Sequence, residues 1–123
     1  MITETPTLCS VSMTARVSQS ATLAPGHPCA SKAGLHGLCS AMAKEYGRKG
    51  ITTNVVVPGY FETDMTRDGM SQSNREFWVQ FCPVGRTGEL REVAHTVMFL
   101  ASEGASFING QAISVTGGLD WAP

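Results

Sequence analysis

Apolar residues recur at helical spacing along residues 30–46, a segment with no interior proline. They fall three or four positions apart, which places them on one face of a helix. These positions are Leu35, Leu38, Met42 and Tyr46. Gly34, Gly37 and Ala41 form a second stripe of small residues that would let another helix approach closely. The pattern predicts an amphipathic helix that ends in residues 47–50, where two glycines occur.

The same spacing returns in residues 89–102, which predict a second helix. Its apolar positions are Leu90, Val93, Ala94, Val97, Leu100 and Ala101. Glu89 and Glu92 would lie in its first turn, where the helix dipole favours negative charge. Thr87 comes just before them and is predicted to cap the helix.

Between these two helices the spacing changes to a continuous apolar run. Residues 51–57 end in three consecutive valines, and Pro58 and Gly59 follow directly. Such a run is typical of a strand that is covered on both faces, as in a parallel sheet. Residues 111–115 predict a further short strand, after which Gly117-Gly118 turns the chain. This order of helices and strands favours an α/β fold.

Composition narrows the class of protein. The chain has 123 residues, 42% of them hydrophobic, and a formal net charge of -1, which together suggest one domain with a modest core. This charge provides no general attraction for nucleic acid or acidic lipid. No apolar run approaches the ~20 residues of a membrane helix, and no signal peptide is evident. The four cysteines form no CxxC pair, so we predict reduced thiols, no metal site and a cytoplasmic location.

An ordered set of short motifs extends over most of the chain. The motifs are Ser31-Lys32-Ala33-Gly34-Leu35, Asn54-Val55, Pro58-Gly59, Thr63 with Met65, Gly85-Arg86-Thr87-Gly88, Glu92-Val93-Ala94, Phe99-Leu100-Ala101-Ser102, Ile108-Asn109-Gly110-Gln111 and Gly117-Gly118. Their order and spacing resemble the C-terminal half of the short-chain dehydrogenase/reductase family, and are most similar to its 3-oxoacyl carrier-protein reductase type. The resemblance implies a Rossmann-like parallel sheet with flanking helices. It also implies hydride transfer between NAD(P) and a carbonyl or alcohol, with a 3-oxoacyl thioester as one candidate substrate.

The resemblance also identifies a region that this sequence does not contain. The first half of a family member carries a glycine-rich turn that receives the dinucleotide pyrophosphate. No such turn stands between a strand and a helix in this sequence. We therefore expect a partial fold whose N-terminal dinucleotide-binding half is missing. It would consist of a poorly defined segment, residues 1–27, and the C-terminal half of the family domain, residues 28–123.

Residues 1–27 have two interpretations. Thr, Ser and Pro are frequent there and periodicity is poor, which favours a flexible tail. Alternatively, the resemblance implies a strand that ends near a catalytic serine, and residues 8–13 would be its remnant. Ser12 is then the candidate serine, although it lies a few residues further from the helix than the family spacing would place it.

The family's catalytic motif is Tyr-x-x-x-Lys, and this sequence keeps only its second half. Lys32 matches the lysine, whereas Pro28 stands at the tyrosine position. In relatives the phenol exchanges a proton with the carbonyl oxygen, and the lysine lowers its pKa and holds the nicotinamide ribose. Proline is acceptable at a helix start but carries no ionisable group. His27 and Tyr60 are considered as substitute acids, but they are better explained as a surface residue and a packing residue.

The resemblance assigns further cofactor contacts to the loop after the first predicted strand. Pro58, Gly59 and Thr63 would meet the nicotinamide end of the cofactor, because open parallel sheets bind ligands at the carboxyl ends of their strands. Thr63 could equally cap the next helix. Residues 64–81 resemble a substrate lid and are equally compatible with an amphipathic core helix, with Ser71 or Ser73 as its cap.

Two functions follow from these patterns. One is an NAD(P)-dependent oxidoreductase that acts on a small-molecule carbonyl or alcohol. The other is a non-catalytic structural or regulatory remnant that pairs with a full-length relative or with itself. Pro28 and the missing glycine turn favour the second for the isolated chain. As partners we expect a homo-oligomer or a full-length relative, and neither nucleic acid nor a membrane.

Overall fold

A parallel sheet organises the protein, whose computed structural model describes residues 9–13, 26–63 and 71–119. Within these ranges, three strands lie in the order β1-β2-β3. The strands are β1 (Cys9–Met13), β2 (Thr52–Pro58) and β3 (Ala112–Val115). The helices are α1 (Gly26–Tyr46), α2 (Gln72–Phe81) and α3 (Leu90–Leu100), with 3₁₀ turns at Gly47–Lys49 and Glu103–Ala105. The predicted α/β fold with a small parallel sheet and flanking helices is confirmed.

The central strand β2 is covered on both faces, as its valine run predicts. Val56 is fully buried and belongs to a core cluster with Val93 and Leu100 of α3. Val55 and Val57 belong to a second cluster with Cys39 of α1. Successive side chains of a strand point to opposite faces, so α3 covers one face of the sheet and α1 covers the other.

The predicted apolar face of α1 was wrong in one respect. Cys39 packs against the sheet and is 3% exposed, whereas Leu38 is 55% exposed. The Cys39 thiol donates a hydrogen bond to the carbonyl oxygen of Thr53, and burial raises the pKa of this thiol. The other predicted positions, Leu35, Met42 and Tyr46, are half-buried, whereas the small-residue stripe of Gly34, Gly37 and Ala41 is exposed. The face that meets the sheet is therefore the predicted one, with Cys39 in place of Leu38.

The ends of α1 follow the expected chemistry. The helix begins at Gly26 rather than at residue 30, so Pro28 lies in its first turn, where a missing N–H costs nothing. Gly50 adopts a positive φ of 76° after the 3₁₀ turn, a conformation in which glycine is favoured.

The N-terminal segment contains a strand where the preferred interpretation was a flexible tail. β1 pairs in parallel with β2, and Ser12 is the register partner of Val55. The strand alternative is therefore confirmed for Cys9–Met13. The apolar periodicity of Cys9–Met13 is too weak to predict a strand from the sequence alone. These residues are mostly small, and their strand conformation depends on pairing with the neighbouring strand.

The first turn of α3 is organised differently from the prediction. Glu89, not Thr87, occupies the N-cap position. The Glu92 carboxylate accepts a hydrogen bond from the backbone N–H of Glu89 at 2.8 Å. This half of a capping box satisfies an N–H group that the helix itself leaves unpaired.

A polar network closes the amino end of β2. The Asn54 side chain is fully buried, donates to the Ile108 carbonyl at 2.8 Å and accepts from the Gln111 N–H at 3.0 Å. The Asn109 side chain accepts from the Thr53 N–H at 2.8 Å and donates to the Ala43 carbonyl at 3.2 Å. These bonds fix the approach to β3 and tie it to both β2 and α1.

The described ranges contain neither a membrane-spanning helix nor a metal-binding cluster. None of the helices there combines the length and apolarity needed to cross a bilayer. No group of three His, Cys, Asp or Glu side chains in residues 9–13, 26–63 and 71–119 is arranged to hold a metal ion.

Candidate functional site

The candidate site lies where β2 ends and residues 58–63 leave the sheet. The Gly59 N–H donates to the Val115 carbonyl at 2.9 Å, which holds the loop against the end of β3. A Cβ at Gly59 would lie 2.7 Å from the Cα of Thr116, closer than real Cβ contacts. Glycine is therefore required here by the close approach of two backbone segments.

The next residue pair fixes the loop against the core. Phe61 is 8% exposed and lies in the cluster around Val56. It forms an isolated parallel bridge with Gly88, and a Cβ at Gly88 would overlap the Phe61 ring. The Gly88 N–H also donates to the Tyr60 carbonyl at 2.9 Å. The Gly85-Arg86-Thr87-Gly88 motif therefore holds the loop against the core.

An open groove of about 580 Å³ runs between this loop and α3. Its lining residues are Pro58, Gly59, Tyr60, Phe61, Thr63, Leu90, Val93, Ala94, Val97 and Met98. The groove therefore collects three of the predicted cofactor contacts, Pro58, Gly59 and Thr63, on one wall. The opposite wall is the apolar side of α3, of which Leu90 and Met98 remain 61% and 70% exposed.

The predicted catalytic residues lie elsewhere in the fold. Lys32 and Pro28 belong to α1, the helix that covers the opposite face of the sheet. Ser12 lies in β1, next to Val55 of the central strand. The backbone positions of these three residues are described, but their side chains are outside the described part of the structure. Of the predicted site residues, only Pro58, Gly59 and Thr63 are thus shown to share a surface.

A smaller cavity of about 110 Å³ lies on the other side of Tyr60 and Phe61. Arg86 and Glu92 contribute to its wall, and the Arg86 guanidinium donates to the two Glu92 carboxylate oxygens at 3.0 and 2.6 Å. This pairing, with the bond from the Glu89 N–H, lowers the pKa of Glu92 from 4.5 to about 2. The same pairing raises the pKa of Arg86. Both charges are therefore engaged with each other.

The sequence did not predict how α2 meets the loop. The Tyr60 and Trp78 rings stack with centroids 6.3 Å apart and planes 27° from parallel. Glu62 forms an ion pair with Arg75. Spacing alone does not pair these residues: Tyr60 and Glu62 are two apart in a loop, and Arg75 and Trp78 are three apart in a helix. The predicted cap was also found, because the Ser71 hydroxyl accepts from the Asn74 N–H.

Comparison with known proteins identifies the family. A family model described as enoyl-(acyl carrier protein) reductase matches residues 4–120. The chain belongs to the short-chain dehydrogenase/reductase family. The match starts at residue 4, so it includes the N-terminal segment whose pattern was poor. The division of the chain at residue 28 remains a prediction.

Alignments with family members of curated function cover most of this chain but little more than a third of those proteins. The 3-oxoacyl-(acyl-carrier-protein) reductase of Rickettsia conorii is 48% identical over 91 residues, which are 74% of this chain and 37% of that protein. The corresponding reductase of Pseudomonas aeruginosa is 44% identical over 90 residues, or 73% of this chain and 36% of that protein. The chain therefore spans little more than a third of the length of these relatives.

Solved structures in the family share the fold. A candidate 2-deoxy-d-gluconate 3-dehydrogenase of Agrobacterium tumefaciens with bound NADP gives a TM-score of 0.82 at 29% identity. The match covers 90% of this chain and 46% of that one. A second Agrobacterium protein, described as a candidate gluconate dehydrogenase, gives the same TM-score over 92% of this chain.

The described residues fit one end of a dinucleotide better than the other. The groove wall offers backbone groups and the Thr63 side chain beside an apolar surface, which suits a nicotinamide ring. No lysine or arginine is among the residues that line the groove, and no glycine-rich turn opens a helix there. The lining of the described groove is thus chemically compatible with a nicotinamide ring, and it supplies no positive charge for a pyrophosphate.

Proposed function

We propose that this chain forms the nicotinamide side of an NAD(P)-dependent oxidoreductase site that acts on a carbonyl or alcohol. A 3-oxoacyl thioester is the proposed substrate class, because the curated relatives with 44–48% identity are 3-oxoacyl-(acyl-carrier-protein) reductases. The observation that carries the proposal is the groove of about 580 Å³, in which Pro58, Gly59 and Thr63 share one wall. A cytoplasmic location and a homo-oligomer, or a pair with a full-length relative, belong to the same proposal.

Each proposed residue has a separate task. Pro58 and Gly59 would present backbone groups to the nicotinamide amide, and the Thr63 hydroxyl would bond to the amide or to a phosphate. Lys32 would hold the ribose, and Ser12 would hold the substrate oxygen. The cofactor, when bound, supplies or accepts the hydride. Pro28 cannot exchange the accompanying proton with the substrate oxygen, because it carries no ionisable group.

The second candidate function is a non-catalytic subunit. Pro28 favours this second function, because proline is compatible with the start of α1 but cannot act as the proton donor that tyrosine provides in the family motif. In this reading the fold is retained for binding, and the groove and the exposed side of α1 would be covered by a relative or a second copy.

Restoring the missing acid separates the two functions. We would replace Pro28→Tyr and, as the matched control, Pro28→Phe, which supplies a ring without a hydroxyl. If the site is complete apart from the acid, Pro28→Tyr will oxidise NADPH in the presence of acetoacetyl-coenzyme A, and both Pro28→Phe and the parent chain will not. Absorbance at the NADPH band measures this directly. Equal inactivity of all three chains would contradict the catalytic proposal.

Cofactor binding is tested without turnover by calorimetric titration with NADPH and with NADH. The catalytic proposal expects saturable heat with at least one of them, and weaker binding after Thr63→Val or Lys32→Ala. Folded protein that gives no heat with either nucleotide would assign this chain to the non-catalytic class. Sedimentation of the same sample would then show whether it self-associates.

A further inference from the structure

The second helix, α2, is held to the protein by few contacts. None of its residues is buried, and Phe77 and Phe81 are 48% and 46% exposed. Helices in proteins usually depend on burial of an apolar face for their stability. The position of α2 must therefore depend on specific contacts along its length, together with the attachment of its C-terminal end at Cys82, which is buried.

Two of these contacts join neighbouring positions of α2 to neighbouring positions of the loop formed by residues 58–63. Tyr60 stacks on Trp78, and Glu62 pairs with Arg75. Phe61, which lies between the two loop residues, points into the core, so Tyr60 and Glu62 leave the loop on the same side. Residues three apart on a helix also share a face. The loop and the helix thus meet through two adjacent contacts, which we call the α2 clamp.

The loop side of the clamp is tied to the groove. The Tyr60 carbonyl accepts from the Gly88 N–H at 2.9 Å, and the Gly59 N–H donates to the Val115 carbonyl at 2.9 Å. Tyr60 also lines both the large groove and the smaller cavity. A shift of Tyr60 would therefore change the groove wall and the clamp together.

We propose that the α2 clamp couples the position of α2 to the conformation of residues 58–63, and that Arg75 and Trp78 are positioning residues for the groove. Both contacts are individually weak. The Glu62 and Arg75 side chains are 29% and 47% exposed, and an aromatic stack or an exposed ion pair changes an equilibrium by roughly tenfold or less. A ligand that favours one loop conformation can therefore shift the attached and detached populations of α2.

Amide hydrogen exchange, followed residue by residue by NMR on the full chain without nucleotide, tests the coupling. Arg75→Gln removes the ion pair and keeps a good helix former. It should speed exchange across α2 by up to about fivefold. It should also speed exchange of the Gly88 amide, which lies in a different segment and bonds to the Tyr60 carbonyl.

A matched control separates this coupling from general loss of charge. Arg91→Gln removes the Glu89–Arg91 pair, which is also exposed, from a helix that does not carry the clamp. It should leave exchange of α2 and Gly88 unchanged. Added salt should speed α2 exchange in the parent chain and have less effect in Arg75→Gln, because screening weakens only an existing pair.

A second variant tests the stack. Trp78→Leu keeps an apolar side chain, and the double variant Trp78→Leu/Arg75→Gln should multiply the two single effects on Gly88. If Arg75→Gln and Trp78→Leu speed exchange in α2 but leave Gly88 unchanged, the helix is packed on the loop without coupling and the proposal is overturned. Unchanged exchange in α2 would overturn it as well. Neither result depends on whether the chain binds NAD(P).

Discussion

The two ends of β2 are completed in different ways. At the amino end, Asn54 is fully buried and both ends of its amide bond to residues near β3. At the carboxyl end, the chain leaves a groove of about 580 Å³ whose apolar wall includes side chains that are more than half exposed, Leu90 and Met98.

This difference separates a folding element from a binding element. Buried amide groups carry a large penalty when unpaired, so a polar network must be closed within the folded chain. Apolar surface can remain open, and contiguous exposed apolar surface commonly marks a place where something else binds. We therefore expect substitutions in the amino-end polar network to affect stability, and substitutions of the exposed apolar side chains of the groove to affect binding.

The largest effect should come from breaking the amino-end network. Asn54→Leu leaves the Ile108 carbonyl and the Gln111 N–H without their partner, and we expect a loss of about 2–5 kcal/mol in the free energy of unfolding. Urea unfolding followed by circular dichroism measures it. The matched groove variant Met98→Gln should change stability by less than about 0.5 kcal/mol. Comparable losses in the two variants would remove the distinction between the two ends.

The next effect contrasts two glycines. Gly59→Ala places a Cβ 2.7 Å from the Thr116 Cα, so the loop must move, and we expect a loss of about 1–3 kcal/mol. A Cβ at Gly34 would have no heavy atom within 4 Å among the described residues. Gly34→Ala should therefore raise the free energy of unfolding by about 0.5–1 kcal/mol through better helix propensity. Thermal unfolding of both variants gives the two signs. A stabilising Gly59→Ala would show that the close approach is not required.

A smaller gain is expected at the amino end itself. The Thr53 hydroxyl is buried and has no hydrogen-bond partner among the described residues. Thr53→Val removes it at nearly the same volume and should raise the free energy of unfolding by about 1 kcal/mol. Thr96→Val removes a hydroxyl that does have a partner, the Glu92 carbonyl, and should not stabilise. A clear loss in Thr53→Val would show that this hydroxyl has a partner in solution.

The smallest effect concerns pH at the carboxyl end. The pKa of Glu92 is lowered from 4.5 to about 2 in the folded chain, so the unfolded chain binds the proton more readily. Its contribution to stability is complete above about pH 4.5 and is lost as the pH falls towards 2. Glu92→Gln should therefore be less stable than the parent chain at pH 6, and the difference should shrink below pH 4. A constant difference in the urea midpoint would contradict this assignment.

The sequence predicted the two main helices, the buried central strand, the last strand and the loop that begins at Pro58-Gly59. It did so because each signal is local: apolar spacing, a continuous valine run, and Pro58-Gly59 at a strand end. It left β1 as the second interpretation of residues 1–27, because the residues of this strand have weak periodicity and acquire their structure from pairing with β2. On α1 it misplaced one position of the packed face, because Leu38 is exposed and Cys39 packs instead.

By itself, the sequence determined the family of this chain and showed that Pro28 stands where the family motif has a tyrosine, because both depend on which residue types stand at which spacing. Only the tertiary structure decided that Pro58, Gly59 and Thr63 face α3 across one groove, and that Tyr60 and Glu62 meet Trp78 and Arg75. These contacts join segments that are separate along the chain. Their geometry depends on how both faces of β2 are packed, and no local pattern carries that information.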